Sequence, residues 1–165
     1  MSSELETIRE LTQRTRELAN YYIHKTKGVD VKKRFAAGDK KLNSIYWLVA
    51  HMAWAQNNLI IRSTGGPNPE IPWLKFFALG KPAEEGETNG PSYEEVLAGF
   101  EKVHRMAMEQ LEKLDPSLLD TENKLNWEIM GSKTMRATLI HHIRHEGTHV
   151  GHLSWNASLH GIKTI

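Results

Sequence analysis

Five of the nine histidines in this chain lie between Thr138 and Trp155: His141, His142, His145, His149 and His152. On a helix that turns about 100° per residue, all five project into one arc roughly 100° wide. His145 and His149 are four apart, so their imidazoles sit one above the other and are able to close on a single ion. With Glu146 they complete an H-E-x-x-H pattern. A lone histidine on an apolar face is more often a hydrogen-bonded core residue than a ligand. Five on one arc, beside the apolar stripe Met135, Leu139, Leu153 and Ala157, would each need a separate buried partner. The arc reads as a metal site.

Such a site needs at least a third ligand. Zinc peptidases with H-E-x-x-H take theirs downstream, as a further His or a distant Glu. Here the corresponding positions are His152 and Trp155, and no acidic residue follows His149. The peptidase reading falls, and the third ligand must come from upstream. His51 is the best candidate, whereas His24, His104 and His160 read as surface or core-edge residues. A three-nitrogen site with an open position suits Zn²⁺ or Ni²⁺. Its chemistry would be activation of a water, or retention of a substrate anion or thiolate. Glu146 is the candidate general base, the alternative being a helix-surface carboxylate paired with Lys or Arg. His142 and His152 are expected to line the pocket as hydrogen-bond donors or proton shuttles.

Four helices must position these residues. The first runs from about Ser3 to Lys25, with Leu5, Ile8, Leu11, Thr15, Leu18 and Tyr22 as its apolar stripe. The second starts at Asn43 or Ser44 and runs to about Arg62. Trp47, Leu48, His51, Trp54 and Ala55 form its inward face, and Ser44 and Asn58 share that azimuth. Trp47 and Asn58 are thereby placed along the pocket with His51. Gly65 to Pro91 is a long Gly- and Pro-rich connection holding one apolar island, Trp73 to Leu79. The third helix opens on the capping box Ser92-Tyr93-Glu94-Glu95 and ends before Pro116. Ser132 or Thr134 starts the fourth, which stops at Gly161. No β-alternating run or hairpin signal stands out. The fold expected is all-α: a four-helix bundle, one domain over residues 1–165, with a long loop between the second and third helices. Gly147 and Gly151, on the back of the fourth helix, mark either the close approach of a neighbouring helix or a dimer seam.

Composition narrows the function. The formal net charge is +1 and no basic stripe appears, so nucleic acid is not an expected partner. No apolar run approaches the length of a membrane span and no leader pattern begins the sequence, so a cytoplasmic location off the membrane is expected. Cysteine is absent, which leaves His, Asp and Glu as metal ligands and requires any thiol to come from outside.

The pattern resembles the DinB/YfiT-like superfamily of small four-helix proteins. Trp47-Leu48-Val49-Ala50-His51 on the second helix and His145-Glu146-Gly147-Thr148-His149-Val150-Gly151 on the fourth carry the match. The resemblance implies an up-down-down-up bundle, a Ni²⁺ or Zn²⁺ on His51, His145 and His149, and a homodimer. It also implies an activity such as low-molecular-weight thiol transfer or thiol-dependent isomerisation; the open metal position adds hydrolysis of a small electrophilic substrate as an expectation from the residues themselves. His152 departs from the family's frequent Gln and touches the substrate analogy, not the metal. The rival expectation is a metal-holding binding or stress-response module without turnover.

Overall fold

The structure is a computed structural model that describes residues 3–164. Helix α1 spans Glu4–Lys25 and begins with a capping box, in which the Ser3 hydroxyl accepts from Glu6 N–H and the Glu6 carboxylate accepts from Ser3 N–H. Helix α2 spans Ile45–Gln56, is capped by Ser44, and continues without a break into a π-helical turn over Asn57–Arg62. A short α3 covers Ala83–Asn89. Helix α4 spans Tyr93–Lys113 behind the Ser92–Glu95 capping box, and α5 spans Met135–Leu159 behind the Thr134 cap. The four long helices thus start and stop close to where caps and breakers placed them, α4 and α5 being the third and fourth of that reading.

Paired side chains give the helix directions. Glu4 meets Arg136 and Arg16 meets Glu146, so α1 and α5 run parallel. Asn156 donates to the Asn43 carbonyl while Thr138 meets Ser63, so α2 runs antiparallel to α5. Tyr46 packs by Tyr93 and Gln110 donates to Thr64, so α4 follows α2. The result is an up-down-down-up bundle in which α5 lies between α1 and α2, and α4 closes the ring. No helix among the described residues is long and apolar enough to cross a membrane.

Three features differ from the sequence-based expectation. Ala36–Ala37 and Lys40–Lys41 pair as a minimal antiparallel hairpin around Gly38, whose φ of 65° suits the turn. The Gly65–Pro91 connection is largely structured, with a 3-10 turn over Pro72–Phe77 followed by α3. Phe77 is fully buried there, and Trp73 sits against Gly99 on α4, where a Cβ would collide with its ring. This cover explains why α2 is buried nearly all round instead of on one face.

The third difference is in α1. Its buried face is Leu5, Ile8, Thr12, Arg16, Ala19 and Tyr22, while Leu11 and Leu18 stay 47% and 42% exposed. The helix is rolled to bury a charge. Arg16 donates from Nε and Nη2 to both carboxylate oxygens of Glu146 (2.7 and 3.2 Å), from Nη2 to Gln56 Oε1 (2.8 Å) and from Nη1 to the Phe100 carbonyl (3.1 Å). Its guanidinium also stacks 3.5 Å above the Phe100 ring. Around this hub the donors assign the tautomers. Gln56 Nε2 donates to His104 Nδ1, His104 Nε2–H donates to Gln13, and His142 Nε2–H donates to Glu146. Burial pushes the Glu146 carboxyl up, but the Arg16 guanidinium, with smaller help from His142 and His104, holds it below the usual range. Burial pushes His104 and His142 each down to about 4.

Two outcomes are expected. Arg16→Met leaves Glu146 buried without its counter-charge, with only the His142 hydrogen bond, and costs roughly 3–5 kcal/mol in urea unfolding. The double variant Arg16→Met/Glu146→Met recovers most of that loss, and a double variant as unstable as the single would refute the ion-pair account. The second outcome concerns pH. The unfolded chain protonates His104 and His142 near 6.5 while the folded chain resists down to about 4. Their contribution is complete above about pH 6.5 and is lost as pH falls, by up to roughly 1.4 kcal/mol per pH unit for each histidine. Thermal unfolding between pH 7.5 and 5 should show this slope, reduced in His104→Asn.

Candidate metal centre

His51 lies mid-way along α2, 3% exposed, and its ring is held on both faces by tryptophans of its own helix. Trp47, one turn before, stacks at 4.5 Å and 11°, and Trp54, one turn after, stacks at 5.4 Å and 22°. The choice left to the ring is a 180° flip about Cβ–Cγ, which exchanges the places of Nδ1 and Cδ2. A hydrogen bond removes it, because Nδ1 lies 2.7 Å from the Phe77 carbonyl at the end of the 3-10 turn. A carbonyl only accepts, so Nδ1 carries the proton and Nε2 presents a bare lone pair.

That lone pair faces α5. His51 Nε2 and His149 Nε2 each stand 3.3 Å from His145 Nε2, and one nitrogen from each of the three rings lies within 4.8 Å of the others. A tetrahedral ion at about 2.0–2.1 Å from each nitrogen sets nitrogen–nitrogen edges of about 3.3–3.4 Å, so the spacing suits one cation among the three. The protonation state also favours binding. Burial pushes His51 below its ordinary value, His145 down to about 3 and His149 down to about 2, the neighbouring imidazoles adding to the last two. All three rings are neutral at pH 7, as a ligand requires. Behind them, His149 Nδ1 lies 3.2 Å from His152 Nδ1, while His145 Nδ1 is buried with no partner among the described residues. Three imidazoles, one tautomer fixed by a carbonyl and another backed by His152, fit a divalent ion.

The family model for the DinB superfamily matches residues 11–153. The chain belongs to the DinB superfamily. The matched span contains all three histidines and all four long helices in whole or in large part. No curated protein matches the sequence.

Other residues of this DinB-superfamily chain fall elsewhere than expected. Glu146 does not face the triad as a free base, because both its carboxylate oxygens are engaged by Arg16 in the interior. His142 is 1% exposed and belongs to the same interior network, away from the pocket rim, with its Nε2 directed at Glu146. The reason is angular: residues 142 and 146 lie one above the other, turned by one position from 145 and 149, and that rotation carries them past α2 toward α1. Asn58 bonds within its own helix, donating to the Trp54 carbonyl and accepting from Arg62. His152 and Trp47 do border the triad, through His149 and His51. Gly147 and Gly151 have no atom within 4 Å of an added Cβ, so no helix of this chain approaches them closely. The sequence reading missed Phe77, whose contribution is a backbone carbonyl and therefore carries no side-chain signal. It missed Arg16 and Gln56 as well, although a charge among apolar neighbours at helical spacing was available for Arg16.

Metal analysis of the purified protein tests the geometry directly. About one Zn or Ni per chain is expected, and His51→Ala and His149→Ala should each bind it at least ten-fold more weakly. Full retention in His51→Ala would show that the third ligand lies elsewhere.

Proposed function

We propose that this protein is a metal-dependent enzyme in which the His51, His145 and His149 centre activates an external low-molecular-weight thiol, or water, against a small electrophile. The observation that carries the reading is the meeting of three neutral imidazole nitrogens from two helices, with no fourth protein ligand among the described residues. Zinc or nickel is the ion this reading expects. When bound, such an ion supplies Lewis acidity that lowers the pKa of a thiol or water at the open position.

The chain's own residues supply the rest. Trp47 and Trp54 keep the His51 ring fixed and its surroundings dry, and the Phe77 carbonyl holds its tautomer. His152, exposed and in contact with His149, is placed to pass the released proton to solvent. In the thiol reaction the sulfur lone pair forms a C–S bond, and the leaving group departs with the electron pair of the bond that breaks. The lack of cysteine makes the thiol a second substrate. Glu146 acts as a positioning residue through Arg16.

The test is steady-state assay of the zinc- or nickel-loaded protein with bacillithiol, glutathione or water against generic electrophiles such as monochlorobimane and 1-chloro-2,4-dinitrobenzene. Metal-dependent turnover that falls at least 100-fold in His149→Ala is expected, a loss of about 2.7 kcal/mol in transition-state stabilisation. In a Co²⁺-substituted sample, azide should shift the visible spectrum by entering the open position. A spectrum inert to azide, with no turnover in any assay, would favour a metal-stapled binding module instead.

A further inference from the structure

A cleft of about 470 Å³ opens where the hairpin meets the start of α2 and the last turns of α5. That volume is within the range of small-molecule sites. Its wall is largely apolar, built from Leu42, the fully buried Leu48 and the Trp155 ring, which is 68% exposed with no other ring against it. A tryptophan left this exposed beside buried leucine is surface that water does not favour. His152 forms part of the same wall, and through its contact with His149 it joins the cleft to the metal centre.

The polar features are few and of defined kind. Lys41 stands at the rim beside Lys40, both exposed on the hairpin. They end a segment, residues 25–41, that holds seven Lys or Arg against two Asp. Glu84 also lies near this segment but is paired with Arg34, which leaves Lys40 and Lys41 as the exposed cations of the hairpin. Asn156, 2% exposed, lies on the wall. Its Nδ2 donates to the carbonyls of Asn43 (3.3 Å) and His152 (3.0 Å), which fixes the amide's orientation. Its Oδ1 is buried and accepts nothing among the described residues. A ligand donor would match this acceptor once a small shift of the amide exposes it to the cleft.

We propose that this cleft seats the body of the electrophilic substrate, and that the substrate is an amphipathic anion. It would carry a planar apolar group against Trp155 and Leu48, an N–H or O–H directed to Asn156, and a carboxylate, sulfonate or phosphate at Lys41. The assignment rests on the metal-centre reading above for the word substrate. The cleft as a binding site stands on its own walls.

The test uses the full-length, metal-loaded protein and two probes with the same body. 8-Anilinonaphthalene-1-sulfonate has two aromatic groups, an N–H and a sulfonate, and N-phenyl-1-naphthylamine lacks only the sulfonate. Saturable 1:1 binding of the sulfonate is expected, with amide and indole shifts centred on Trp155, Leu42 and His152. Trp155→Ala should weaken both probes at least ten-fold. Lys40→Gln/Lys41→Gln should weaken the sulfonate at least five-fold and leave the neutral probe unchanged. These residues are exposed, so thermal unfolding and metal content should match the parent protein. Non-saturable binding, shifts centred on α1 and α5 near Leu11 and Ile140, or indifference to Trp155→Ala would overturn the cleft. Probe binding without thiol or water turnover would leave the cleft standing and overturn the reaction assigned to the metal. Turnover without probe binding would do the reverse.

Discussion

A single guanidinium from α1 reaches a carboxylate on α5, an amide on α2 and a backbone carbonyl on α4, all inside the bundle. Gln56 on α2 does the same in reverse, meeting Arg16 on α1, His104 on α4 and His142 on α5, so the four long helices share one polar knot. Apolar packing tolerates small rotations and slips of a helix, whereas a buried two-pronged bond between Arg16 and Glu146 does not. Glu146 lies between the two α5 histidines of the triad, and Gln56 lies little more than a turn beyond His51. Fixing Glu146 and Gln56 against the same guanidinium therefore fixes the relative rotation of the two ligand-bearing helices. The metal centre depends on that constraint although Arg16 never touches it.

The two polar regions of the bundle are chemically distinct and kept apart by helix geometry. One contains the opposite charges of Arg16 and Glu146, ringed by Gln13, Gln56, His104 and His142, and is nearly closed to water. The other contains neutral imidazoles only, stacked against tryptophan and partly open. Were Glu146 turned toward the triad, its negative charge would raise the proton affinity of the histidines that must stay neutral to bind a cation. Its capture by Arg16 leaves the triad with lone pairs and an approachable face. The π turn after Gln56 lies next to both regions and marks where α2 departs from regular geometry while staying a single rod.

Helix limits were legible because caps and breakers are local: Ser3, Ser44, Ser92 and Thr134 each accept from the backbone N–H three residues on. The triad was legible because a four-residue spacing on one helix and a lone histidine on another's inward face follow from periodicity. What failed was rotation. The apolar count in α1 favoured Leu11 and Leu18, yet a buried ion pair outweighed two leucines and rolled the helix. The same angular margin separated Glu146 and His142 from the triad, and one residue step on a helix is enough to send a side chain to another neighbour. The hairpin at Gly38-Asp39 was missed because its strands are two residues each, too short for alternation to register. Phe77 acts through its backbone, which sequence patterns do not expose.

The triad joins α2 to α5 across nearly a hundred residues of intervening chain, with α3 and α4 lying between. During synthesis His51 leaves the ribosome as an isolated imidazole whose partners are still untranslated. The ion cannot template the early helices; it can only be captured once α5 has been made and has slotted in beside α2. Any ion the triad takes up is thus a late arrival, and a chain truncated before α5 would carry Trp47, Trp54 and His51 without the other two histidines of the group.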